Sequence, residues 1–208
     1  MKKKLILVII GLGLINESYS QDKFQLGVKV GAVTSNPDKN IPDLSPNSTI
    51  EYGWGWQAGL YGSYRMSNKI NSRIEIIYAI NEHDDVHNFV ISNGSRNREV
   101  HTLDFVNIPL IFELIVFKGI KLQAGSQVGF LMSYESKEVN FSPPTIRNFT
   151  NAHSNLDIGL LVGLGWISPI GIELDLRYVH GVSDIRDYNP EFFNRTIQFS
   201  LAYPILKF

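Results

Sequence analysis

Apolar and polar residues alternate with a period of two along most of the chain. Over residues 157–178, Ile158, Leu160, Val162, Leu164 and Trp166 share one face, and Asp157, Gly159, Leu161, Gly163 and Gly165 share the other. Ser168, Pro169, Ile170 and Gly171 carry turn chemistry. The return arm then repeats the split, with Ile172, Leu174, Leu176 and Tyr178 set against Glu173, Asp175, Arg177 and Val179. A period of two predicts strands, and two such runs around a short Pro/Gly segment predict a hairpin.

The same rhythm recurs before and after that hairpin. It predicts strands at Phe24–Leu26–Val28–Val30–Ala32, at Trp54–Trp56–Ala58–Leu60–Tyr64, and at Ile74–Ile76–Tyr78–Ile80. Further strands follow at Val106–Ile108–Leu110–Phe112–Leu114, at Ile120–Leu122–Ala124–Val128–Phe130–Met132 and at Ile197–Phe199–Leu201–Tyr203–Ile205. Pro109 predicts an irregularity in the fourth strand, because proline has no ladder donor. Long polar stretches at residues 34–49, 81–99, 135–153 and 183–192 read as loops, and Ser67-Asn68-Lys69, Lys118-Gly119 and Ser168 to Gly171 as short turns. Connections alternate between long and short. The expectation is an all-β, eight-stranded, antiparallel up-and-down transmembrane barrel, with the long loops at one end and both termini at the other.

Alternation alone does not say which face is inside. Glycines gather on the polar face (Gly27, Gly31, Gly53, Gly55, Gly59, Gly125, Gly129, Gly159, Gly163, Gly165), where the concave interior of an eight-stranded barrel is short of space. Trp54, Trp56, Tyr64, Trp166, Tyr178 and Tyr203 lie near strand ends on the apolar face, as aromatic girdles at two bilayer interfaces would. Both observations favour lipid outside over a soluble barrel with an apolar cavity. Closure suits a bilayer, because an open sheet edge there leaves backbone groups unsatisfied. Lys29, Arg65, Arg73, Glu75, Glu113, Lys121, Asp157, Glu173, Asp175 and Arg177 then face inward, with as many bases as acids. Such a balance predicts a paired ionic plug, with a narrow pore as the alternative.

Composition changes the picture at two points. The first residues carry Lys2, Lys3 and Lys4, then an apolar run to Ile15, then Ser18 and Ser20 at the spacing of a cleavage site. This is the pattern of a secretory signal peptide over residues 1–20, leaving residues 21–208 as the barrel domain. The apolar run is too short to span a bilayer as a helix. The absence of cysteine excludes disulfides, thiolate metal sites and a thiol nucleophile. A formal net charge of −1 without a basic cluster after residue 4 excludes a nucleic-acid footprint.

The leader, the eight strands, the run Asn107-Ile108-Pro109-Leu110 and the stretch Arg177-Tyr178 to Gly181 resemble the small outer-membrane β-barrel family common in Bacteroidetes, often labelled porin-family or PorT-like. The chain is also similar in architecture to OmpA-type and OmpX-type barrels. The resemblance implies residence in the outer membrane, contact with its lipid and insertion by the β-barrel assembly machinery, for which a terminal aromatic such as Phe208 is the usual signal. Phe208 is out of phase with Phe199, Leu201, Tyr203 and Ile205, which predicts a bulge at Pro204.

Candidate chemistry is sparse. His180 and Ser183 could form the base and nucleophile of a lipid-modifying rim enzyme, but on a strand they point to opposite faces. His83-Asp84-Asp85-Val86-His87 matches no fixed metal-ligand spacing. No cofactor is expected. The expected function is a structural or interaction barrel whose long loops contact partners or ligands, other envelope proteins among them. A PorT-like accessory role in protein secretion is the alternative.

Overall fold

The computed structural model describes residues 23–35, 38–39, 48–51, 53–90, 96–138, 146–148, 156–183 and 192–208. The expected leader, residues 1–20, lies outside the described residues. Eight long strands run through the described chain: β1 (Phe24–Ser35), β2 (Gly53–Arg65), β3 (Ile70–Val90), β4 (Arg96–Phe117), β5 (Ile120–Glu138), β6 (Leu156–Ile167), β7 (Glu173–Gly181) and β8 (Arg195–Lys207). Each pairs antiparallel with its chain neighbours, and β1 pairs with β8, so the sheet closes on itself. No strand edge is left along the wall, which is the condition for a sheet in hydrocarbon.

The short connections follow local chemistry. Lys118 (φ 40°) and Gly119 (φ 83°) are both left-handed, as a two-residue turn between twisted strands requires. At the other hairpins, Ser67 Oγ accepts from the Ile70 amide at 3.1 Å, and Ser168 Oγ accepts from the Ile172 amide at 2.9 Å.

Two stretches expected as loops are strand instead. The expected loop over residues 81–99 is mostly a hairpin arm, in which β3 runs on to Val90 and β4 starts at Arg96, with His83 opposite His101. The expected loop at 135–153 likewise begins as strand, since β5 reaches Glu138. Polarity on both faces was the loop signal, yet a strand standing in water can be polar on both faces while its backbone pairs. Within the first and fourth loop regions, Asp38–Lys39 pairs with Phe192–Phe193, and Ser48–Glu51 adds to β3.

Pro109 keeps its register opposite Gln127, but the β3–β4 ladder is interrupted between Ile74–Leu110 and Ile77–Asn107, where the proline has no N–H to give. The bulge expected at Pro204 is present: Gly27 faces Pro204 and Leu26 faces Leu206, so Ile205 is the extra residue. That insertion re-phases the last residues. Phe208 exchanges backbone hydrogen bonds with Phe24 at 2.9 and 3.1 Å and stands exposed on the outer wall.

The wall is apolar outside and polar inside. On β6 the outward residues from Leu156 to Trp166 form an unbroken apolar column. Ten steps of ~3.4 Å, tilted by about 40°, rise ~26 Å, close to the ~25 Å apolar band of outer-membrane barrels. Interior glycines serve two ends. A Cβ on Gly31, Gly55, Gly59 or Gly125 would fall on a carbonyl oxygen of the neighbouring strand. At Gly163 and Gly165 it would meet Arg177, Lys121 and Asp175, so these glycines leave room for the charges beside them.

Candidate functional site: the charged lumen

Four bases and four acids meet inside the barrel: Lys29, Arg73, Lys121 and Arg177 with Glu75, Glu113, Glu173 and Asp175, all buried. They come from five different strands, and parity alone put them on one face. Arg177 on β7 reaches Glu75 on β3 with two bonds, Nη1 to Oε2 at 2.7 Å and Nη2 to Oε1 at 2.9 Å. In the closed order β3-β2-β1-β8-β7 these strands are four apart in a ring of eight, so the pair bridges opposite walls. Arg73 on β3 donates back across the lumen to Glu173 on β7 at 2.6 Å.

The remaining members tie these bridges together. Lys29 donates to Glu75 at 3.1 Å and lies 3.6 Å from Asp175. Lys121 donates to Glu113 at 3.0 Å, lies 3.1 Å from Asp175, and also donates to Glu173. Gln123 bridges charges of both signs, donating to Glu113 at 2.9 Å and Asp175 at 3.0 Å while accepting from Arg177 Nε at 2.8 Å. A buried charge is tolerable only when paired and hydrogen-bonded, and each of these eight has at least one oppositely charged partner.

Two residues expected in this network stand apart from it. Arg65 faces inward but is exposed at the short-turn mouth, two residues beyond the Ser63–Arg73 pair. Asp157 is buried toward the opposite end, where its Oδ2 accepts from Asn194 at 3.0 Å. Alternation gives the face of a residue but not its depth along the barrel, and depth separates both from the rest. Conversely, Tyr61 belongs to the site: its hydroxyl donates to Glu173 at 3.3 Å, and its ring lies 4.2 Å below the Arg73 guanidinium. An aromatic on an otherwise small and polar face was the available signal.

Beyond the charges, the interior becomes apolar. Ile111, Leu161 and Val179 pack together, and Leu103, Phe105, Leu131 and Tyr134 form a second cluster farther along. Tyr134 hydroxyl and His101 Nδ1 are 2.7 Å apart, with stacked rings. A bulge at β5, where Phe105 faces Leu131 and Asp104 faces Ser133, makes Met132 the extra residue and turns Tyr134 and Ser136 inward. Ionic and apolar layers thus follow one another along the lumen.

On the outer wall Trp54, Trp56, Tyr64, Trp166, Tyr178 and Tyr203 are all exposed. Tyr64 contacts Phe24 at 5.0 Å between ring centres, and Trp56 contacts Tyr78 at 6.0 Å, so Phe24 and Tyr78 extend the aromatic set. His180 Nδ1 is 3.3 Å from the Tyr178 hydroxyl, whereas Ser183 Oγ accepts from the Ile158 amide at 2.7 Å. The structure does not bring His180 and Ser183 together. Side chains of residues 83–87 lie outside the described ones. Among the described residues no group of acids and histidines could hold a metal ion.

A closed eight-stranded wall, apolar outside and ionic within, is the setting for the comparison with known proteins. Residues 16–187 match the outer membrane protein beta-barrel domain family. The chain belongs to that family. It is therefore a small outer-membrane β-barrel protein. Among solved structures, it is similar to Ail, the attachment invasion locus protein of Yersinia pestis, at 12% identity and TM-score 0.48, covering 88% of this chain and 99% of Ail. Neisserial surface protein A is similar at 11% identity and TM-score 0.49, covering 86% and 96%. OprG from Pseudomonas aeruginosa is similar at 8% identity and TM-score 0.43, covering 90% and 99%. No curated protein matches. The family match carries the assignment, and with it the apolar wall faces the lipid of the outer membrane.

Proposed function

We infer that this outer-membrane barrel acts by contact rather than by transport or catalysis. The single observation that carries this reading is the crossed lumen: Arg177–Glu75 and Arg73–Glu173 span it from wall to wall, with apolar clusters beyond. With the interior occupied, the surface left for recognition is the end built by the extended β3, β4 and β5, which are 21, 22 and 19 residues long against 9 to 13 for the other strands. A cleavable leader over residues 1–20, aromatic girdles that include Trp54, Trp56, Tyr64, Trp166, Tyr178 and Tyr203, and recognition of Phe208 by the assembly machinery fit the same reading. A PorT-like accessory role in secretion is a narrower form of it, in which the contacted partner is another envelope protein.

The test is to shorten the hairpin without touching the barrel. His83 and His101 face each other, so replacing residues 84–100 by Asn-Gly closes the arm at a paired position. The expected result is a heat-modifiable barrel still in the outer membrane, with its site-specific photocrosslinks to envelope partners lost. Unchanged crosslinks would contradict a contact role for this arm.

A further inference from the structure

The short-turn mouth of the barrel opens into a cavity of about 490 Å³ whose rim is basic. Lys23, Arg65 and Lys207 line it, each exposed. Their placement follows from register. The Arg65 amide donates to the Lys23 carbonyl at 2.7 Å, and Lys207 lies opposite Gln25, which in turn lies opposite Ser63. Three cations therefore sit at adjoining ends of β8, β1 and β2, all on the inward face.

None of the three forms an ion pair among the described residues. Two acids, Glu113 and Glu173, also face the cavity, but Arg73 and Lys121 already bind them from the buried side. Like charges on neighbouring strands repel, and no acid of the described chain pairs with them. The other exposed charged residues at this end, Lys69 and Lys118, are cations too, but they lie outside the cavity.

We propose that this mouth is a binding site for a phosphate group, held by Arg65, Lys23 and Lys207. Three converging positive charges ask for a ligand with several acceptor oxygens and more than one negative charge. The arginine fork matches phosphate oxygens in pairs, while the lysines serve as flexible point charges. Ser63 and Gln25 offer neutral donors deeper in. The phosphate comes from a phospholipid headgroup of the adjoining leaflet or from a free phosphate compound. The site is separate from the outer hairpin arm and stands or falls independently of its role.

The test uses the full chain folded in an uncharged maltoside detergent, titrated calorimetrically with inorganic phosphate and with dihexanoyl phosphatidic acid. Saturable binding is expected, weakened at least tenfold in Arg65→Gln, abolished when Lys23→Gln and Lys207→Gln are added, weakened less in Arg65→Lys, which keeps the charge but loses the fork, and unchanged in Lys118→Gln. Tenfold preference for phosphatidic acid assigns the headgroup as the source, and equal affinity assigns a free phosphate compound. Absence of saturable binding to either probe, or an equal loss in Lys118→Gln and Arg65→Gln, would overturn the proposal. Heat modifiability of each variant shows that the barrel is folded.

Discussion

Arg177 and Glu75 join opposite walls of the barrel through two hydrogen bonds, from strands that never touch along the sheet. Removing one partner leaves the other charge buried without its main counter-ion, which costs about 3–5 kcal/mol. Glu75→Ala is therefore expected to lower the unfolding free energy, obtained by urea titration of the barrel folded in lipid vesicles, by an amount in that range. Replacing both, Glu75→Leu with Arg177→Met, should recover much of the loss, because apolar residues of similar volume remove the uncompensated charge along with the pair. A double variant no more stable than Glu75→Ala would show that the pair is not the unit that matters.

Gly31 and Gly62 make opposite demands on the wall. A Cβ on Gly31 would fall on the Phe199 carbonyl oxygen, whereas one on Gly62 would meet Leu26 Cδ2 at 3.5 Å and Ile74 Cγ2 at 3.8 Å, an ordinary contact. Gly31→Ala is expected to destabilise by about 1–3 kcal/mol through strand displacement, and Gly62→Ala to be close to neutral. Vesicle unfolding of the two variants side by side distinguishes them.

The lipid-facing side of β6 should be sensitive to charge according to depth. Val162 is 56% exposed near the middle of the apolar column, and Ile170 is 74% exposed in the turn below it. Val162→Arg is expected to cost about 2–4 kcal/mol and Ile170→Arg about 0–1 kcal/mol in bilayer unfolding experiments. Equal costs would mean that the apolar column is not the membrane span.

Phe208 owes its outward position to the extra residue Ile205 beside Pro204. Deleting Ile205 should turn the terminal aromatic to the other face, while Phe208→Ala removes it without disturbing the pairing to Phe24. If Phe208 is the assembly signal, both changes lower the amount of folded barrel reaching the outer membrane in cells. Phe208→Ala should nevertheless leave the urea midpoint of the purified barrel nearly unchanged. Normal insertion of both variants would remove that role.

The architecture was legible wherever one face of a strand is buried and the other meets lipid. Ile158 to Trp166 against Gly159 to Gly165 specifies a strand and its facing without ambiguity, since a one-residue slip would exchange the faces. Beyond Asn81 on β3 and before Asp104 on β4 the sequence is mostly polar on both faces, and the pairing of His83 with His101 left no periodic trace. The charged site was readable as a set but not as a geometry. Parity placed Arg65 and Asp157 with the other eight, but their positions along the barrel depend on strand stagger, which no local pattern records. Tyr61 was missed because its phenol serves the cluster through partners 12 and 112 positions away, Arg73 and Glu173.

The proposed plug is tested most directly by electrical recording. The purified barrel, inserted in a planar bilayer of neutral lipid under an applied voltage, is expected to show no discrete conductance steps. Arg73→Ala combined with Arg177→Ala, which removes both cross-lumen bridges, is expected to show steps or flicker if the protein inserts. Regular single-channel steps from the unmodified protein would contradict the plug and return the lumen to the role of a pore.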